Sequence, residues 1–144
     1  MTGDEVAALL AEGVLVRVEA DRAEAQKELA TARNHLLGAE AASQHDPTGA
    51  FTLAYDAARK AVVAHMRADG LRVRPRFGAH YQTGRYARVA LTGRASAEHV
   101  SAFEDMRVVR HDTEYGAEVV DASDAAEALA HARAIVEAVE ADLA

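Results

Sequence analysis

From Ala25 onward, small apolar residues return at alternating steps of four and three: Ala25, Leu29, Ala32, Leu36 and Ala39. The same alternation governs the end of the chain, through Ala125, Leu129, Ala132, Val136, Val139 and Leu143. Steps of this kind draw one stripe along a helix, whereas a half-buried strand needs a period of two. A helix with an apolar stripe has to bury it against another element, and several such helices solve the problem together as a bundle. Alanine, the strongest helix former, fills much of the stripes, and the whole chain holds only two prolines. The expected fold class is therefore all-α, an up-and-down bundle of four main helices plus short extra ones, forming a single domain over residues 1–144.

Local signals place the boundaries. "TGDEVAALLAEG" reads as a short first helix with a capping threonine or aspartate, ending at Gly13. "VLVRV" at 14–18 alternates like a strand but has only weak partners in "RVRPRF" and "RYARVAL", so a connection is expected there. The second helix is expected from about Val18 to Ser43. Asp46 before Pro47 starts a third, because aspartate caps free N–H groups and proline suits the first helical position. That helix runs to Asp69, about 35 Å at 1.5 Å per residue, with Phe51, Ala54, Ala58, Val62 and Met66 on one face. "LRVRPRFG" at 71–78 is expected as a loop and "AHYQTGRYARVAL" as a shorter helix. Ser96 caps a fifth helix carrying Val100, Phe103, Met106 and Val109, and Asp121 or Ser123 caps the last.

Charge limits the functional classes. The formal net charge is −7, but residues 59–110 carry +7 and the remainder −14. Such separation either creates a positive face on an acidic protein or lets basic and acidic helices pair inside the bundle. There is no cysteine, which removes disulfides and zinc-thiolate sites, and the seven histidines lack metal-ligand spacing. No cofactor is expected. No apolar run approaches the roughly 20 residues of a membrane span, and the acidic N-terminus is unlike a signal peptide. A cytoplasmic protein without membrane contact is the expectation.

Chemistry concentrates in "MRVVRHDTEYG" at 106–116, where Arg107, His111 and Tyr115 align at steps of four and Arg110 pairs with Glu114. A second concentration is "RVRPRFGAHYQTGRYAR" at 72–88, with Arg72, Arg74, Arg76, Arg85 and Arg88 interleaved by Phe77, His80, Tyr81 and Tyr86. Arginines offer bidentate phosphate contacts and aromatic rings stack on unpaired bases, so this pattern suits single-stranded RNA. Each feature has a plainer alternative: a surface ion pair for Arg110 and Glu114, a helix-end aromatic for Tyr115, a solvated loop for 72–88. His65, beside Met66, is expected to be packed or hydrogen-bonded.

Three segments in order, "LAYDAARKAVVAHMRADGLRVR", "FEDMRVVRHDTEYG" and the capped C-terminal helix, make the chain resemble the HEPN superfamily of helical nucleotide-binding domains, over most of residues 20–142. The resemblance implies a homodimer in which the polar motifs of two subunits face one cleft. It also implies a relation to metal-independent ribonucleases that serve as toxins or defence effectors. Arg110 matches the family's arginine and His111 the residue after it. The family's histidine, a turn or slightly more beyond that arginine, is replaced by Tyr115. Tyrosine titrates near 10 and makes a poor base at neutral pH. The catalytic candidates are accordingly Arg110, His111 and Tyr115. The nucleic-acid candidates are Arg107, Arg72, Arg74, Arg76, Arg85, Tyr81, Tyr55 and Asp56. The expected function is RNA or nucleotide binding with little or no catalysis. Alternatives are a metal-independent endoribonuclease acting across a homodimer cleft, and an interaction partner of an antitoxin or a nucleotidyltransferase.

Overall fold

The computed structural model describes residues 2–75, 78–116 and 119–144, with the side chains of Thr2 and Tyr115 excepted. Among them run α1 (Thr2–Ala11), β1 (Leu15–Arg17), α2 (Arg22–Ala42), α3 (Pro47–Ala68), β2 (Leu71–Val73), α4 (Ala79–Ala90), α5 (Ala97–Tyr115) and α6 (Ala122–Leu143). The four long helices α2, α3, α5 and α6 form the expected all-α bundle, with α1 and α4 beside them.

Caps set most of the helix starts. Asp21 accepts a hydrogen bond from Glu24 N at 2.9 Å, Asp46 from Gly49 N at 2.9 Å and Asp121 from Asp124 N at 2.8 Å. Each satisfies an N–H that the helix itself leaves without a partner. The Asp21 cap starts α2 at Arg22, later than the hydrophobic pattern suggested. α1 begins at Thr2, so neither Thr2 nor Asp4 caps it from outside.

α3 is the central element, in contact with α2, α4, α5, α6 and β2. Its alanines at 54, 57, 58, 61 and 64 are all fully buried. With no side chain beyond Cβ, they let neighbouring helices come close on several sides at once. The α2 stripe from Ala25 to Ala39 is buried as expected, and so is the α6 stripe from Ala125 to Leu143.

Two expectations for the connections are corrected. Residues 15–17 form a strand, and the expected loop at 71–78 opens with its partner strand. The two pair antiparallel, with Leu15 opposite Val73, Val16 opposite Arg72 and Arg17 opposite Leu71. Bonds from Val18 N to Gly70 O and from Arg74 N to Val14 O, each 2.9 Å, extend the ladder. Three-residue strands so far apart in sequence leave no periodic signal; the helices between them bring them together. Gly70 turns the chain with φ of +71°, and a Cβ there would lie 2.8 Å from Val18 O.

The charge separation is spent largely within the chain. Lys60 lies 3.2 Å from Glu28, Arg67 3.8 Å from Asp21, Arg85 3.0 Å from Glu12 and Arg94 2.5 Å from Asp142. Each pair joins the basic middle of the sequence to an acidic flank.

Candidate nucleic-acid interface

α3, α4 and α5 meet around Tyr55. Its ring is fully buried and lies between Phe103 of α5, 5.5 Å away at 23°, and His80 of α4, 5.7 Å away at 27°. The Tyr55 hydroxyl is 3.1 Å from His80 Nδ1. Burial pushes the phenol up to about 12, against the pull of Arg59, Arg110 and Arg107, so it keeps its proton at neutral pH. Burial, then the guanidiniums of Arg59 and Arg110, lower the pKa of His80 from its ordinary 6.5. The phenol can donate to Nδ1, which leaves the ring proton on Nε2, or accept from Nδ1–H, which leaves Nε2 with the lone pair.

Around this pair stand three guanidiniums. Asp56 lies 3.8 Å from Arg59 Nε and 3.9 Å from Arg110 Nε, too far for a hydrogen bond to either. Both Nε atoms are buried and without an acceptor. Arg110 Nη1 meets Glu114 at 2.6 Å, and its guanidinium sits 5.8 Å from the Tyr55 ring centre. Arg107 grips Glu104 with Nε at 3.0 Å and Nη2 at 2.7 Å, and its guanidinium lies 5.5 Å from the ring centre of Tyr81. Tyr81 is 44 % exposed.

Beside the cluster, Arg59, Arg67, Arg72 and His80 rim a cleft of about 270 Å³ floored by Val63, Met66 and Leu71. Arg72 is exposed and makes no ion pair among the described residues.

The expected residues therefore divide. Arg110, Arg107, Tyr55, Asp56 and Tyr81 come together, and Arg72 borders the adjoining cleft. His111 points away, its side chain 65 % exposed and 3.8 Å from Asp112, as a neighbour one residue from Arg110 on a helix must. Arg74 donates to Gly13 O at 2.8 Å, and Arg85 bridges to Gln82 at 3.2 Å and Glu12 at 3.0 Å. These two hold α1 and the strand pair in place and do not join the cluster. Arg76 lies outside the described residues, as does the side chain of Tyr115.

Two members were missed as site residues. Arg59 has a sequence signal, since it follows Asp56 by three and Tyr55 by four. His80 stands in the sequence only among the interleaved rings of the 72–88 segment, and its place beside Tyr55 has no sequence signal, because only the docking of α4 onto α3 brings the two together.

A second polar cluster is structural, as expected for His65. This histidine is 5 % exposed, with Nε2 2.5 Å from Asp142 Oδ2 and Nδ1 2.7 Å from the Tyr86 hydroxyl. Tyr86 also reaches Asp69 at 3.3 Å, and Arg94 donates to Asp142 at 2.5 Å. Burial pushes the Asp142 carboxyl up, but the hydrogen bonds from Arg94 and His65 outweigh it and hold it below its usual range. The cluster ties α3, α4 and α6 together.

Among the described residues there is no group of three or more His, Asp or Glu side chains able to hold a metal ion, and no helix long and apolar enough to cross a membrane. Comparison with protein-family models, curated proteins and solved structures finds no match to this chain.

Proposed function

We propose that this chain is a HEPN-like protein that binds RNA or a nucleotide through phosphate contacts on the α3–α4–α5 face, without cutting what it binds. The observation that carries this reading is the convergence of Arg59 and Arg110 on Asp56 with neither Nε hydrogen-bonded. Their side chains are each about a quarter exposed, so with both Nε atoms buried beside Asp56 a ligand meets them at the outer Nη ends. Phosphate oxygens are acceptors suited to that fork. Tyr81 supplies an exposed ring for base stacking, and Arg72 adds a cation that meets no carboxylate among the described residues. Within the cluster Asp56, Glu104 and Glu114 balance Arg59, Arg107 and Arg110. Affinity then rests on short-range geometry and on Arg72, and it is modest and sensitive to salt.

Binding ranks above cleavage because Tyr115, a residue type ordinarily protonated at neutral pH, stands where the ribonuclease pattern has histidine. Attack by a 2′-hydroxyl needs a base with a free lone pair. His80 lacks a free lone pair for that attack in the arrangement where Tyr55 donates to Nδ1. His111 is largely exposed, about 100° round α5 from Arg110. The reading includes a homodimer that brings two such faces together.

The test is fluorescence anisotropy of a short labelled RNA of mixed sequence, in EDTA, at about 50 and 200 mM salt. Wild-type protein should bind and leave the RNA intact, and Arg59→Ala and Arg110→Ala should each weaken binding at least tenfold. Absence of binding at the lower salt, or unchanged affinity in both variants, overturns the reading and favours a role as partner of an antitoxin or nucleotidyltransferase. Cleavage in EDTA that disappears in His80→Ala would make the protein a metal-independent endoribonuclease.

A further inference from the structure

A second cavity lies on the α6-facing side of α5, about a quarter turn round that helix from Arg110. It holds about 280 Å³ between α5 and α6, over Phe51 of α3. Its floor is apolar: Phe51, Met106 and Val120 are each no more than 5 % exposed, and Val109 is partly buried beside them. Each wall contributes residues at the same helical steps, Ala102, Asp105, Met106 and Val109 from α5 and Asp124, Glu127, Ala128 and His131 from α6. The groove thus follows two turns of both helices, about 10 Å. His131 closes one end, its Nδ1 2.8 Å from His99 Nδ1 on α5.

The rim has one sign of charge. Asp105, Asp124 and Glu127 are exposed, and none of them forms an ion pair among the described residues. The other walls contribute no lysine or arginine. Many other carboxylates meet a cation, Glu12, Asp21, Glu28, Glu40, Glu104, Glu114, Glu140 and Asp142 among them, and what sets Asp105, Asp124 and Glu127 apart is that they border one apolar trough. An apolar trough bordered by unneutralised carboxylates on both walls is complementary to a ligand with an apolar stripe and flanking positive charge.

We infer that the α5–α6 groove docks a basic amphipathic helix of a partner protein. Anchors at steps of four and three along such a helix span the same two turns, and one or two large aliphatic side chains fill the trough. Lysine or arginine on either flank then meets Asp105 on one wall and Asp124 and Glu127 on the other. The inference stands apart from the RNA reading, because it uses a neighbouring face of α5 and none of the arginines.

The probe is a fluorescein-labelled helical peptide with leucines at steps of four and three and lysines elsewhere, beside a control with every lysine replaced by glutamate. Anisotropy should show saturable binding of the lysine peptide that weakens with salt, and none of the glutamate peptide. The combined variant Asp105→Asn, Asp124→Asn, Glu127→Gln leaves the Asp121 cap and the core intact and should lower affinity at least tenfold. Ala102→Arg, which puts a cation at the edge of the trough, should do the same, with circular dichroism confirming the fold. RNA binding should be unchanged in both. No binding by wild type, or equal binding by wild type and the combined variant, overturns the inference. So does spermidine competing as well as the lysine peptide at equal charge, which would make the rim a polycation site with no use for the trough.

Discussion

Replacing Tyr55 by phenylalanine removes one oxygen from the centre of the candidate site and should produce a stability difference that reverses with pH. Near neutrality the variant loses the hydrogen bond to His80 Nδ1, 3.1 Å in the wild type. The ring and its contacts with Phe103 and His80 remain, so the cost is about 1 kcal/mol. At high pH the wild type has a cost of its own. Tyr55 ionises at about 10 when unfolded and at about 12 when folded, so the unfolded state releases its proton first. Its contribution is complete below pH 10 and is lost as the pH rises towards 12. At pH 11 the linkage amounts to about 1.4 kcal/mol, and fully above both values to nearly 3 kcal/mol. Phenylalanine has no such proton. Urea denaturation of both proteins at pH 7 and pH 11 should therefore show wild type ahead by about 1 kcal/mol at the first pH and level with or behind Tyr55→Phe at the second. Other tyrosines, Tyr86 included, contribute equally to both proteins and cancel. A gap that stays constant between the two pH values would refute the burial of this hydroxyl and its bond to His80.

The remaining expectations concern other parts of the molecule. His65→Ala empties a buried position, leaves the Tyr86 hydroxyl only its 3.3 Å contact with Asp69 and removes one hydrogen bond from Asp142, and should cost about 2–3 kcal/mol in chemical denaturation; a loss under about 1 kcal/mol would show that the cluster does not tie the helices. Gly70→Ala meets both the positive φ and the Val18 carbonyl, and should destabilise by about 1–3 kcal/mol, whereas Gly3→Ala, with open space at Cβ, should be neutral within about 0.5 kcal/mol. His80 has its pKa lowered by burial and by the neighbouring arginines, so its contribution is complete above 6.5 and is lost as pH falls below that value. RNA affinity should move the other way, rising on acidification from pH 7.5 to about 5.5 as protonation gives the His80 ring a positive charge beside the bound phosphate. A flat affinity profile, or one unchanged in His80→Gln, would remove this histidine from the binding surface.

Helix content and most boundaries were written in local signals. Alternating apolar steps place the stripes of α2 and α6, Asp46 with Pro47 opens α3, Ser96 opens α5, and one of the two proposed caps, Asp121, opens α6. Such signals act within a turn or two, so a single sequence carries them. The strand pair was illegible for the opposite reason, since three residues on each side have no period of their own and depend on contacts made by the helices between them. The site divides in the same way. Tyr55, Asp56 and Arg59 share one helical face by spacing alone, and Arg107 and Arg110 share another. That the two faces meet, that His80 arrives between them from α4, and that Arg74 and Arg85 are spent on Gly13 and Glu12 follow from how the helices dock. Charge shows the division most clearly. The sequence carries the sum and its segregation, but whether a cation is free or neutralised depends on which carboxylate packing brings within a few ångströms, and Coulomb attraction between exposed groups fades over about 10 Å.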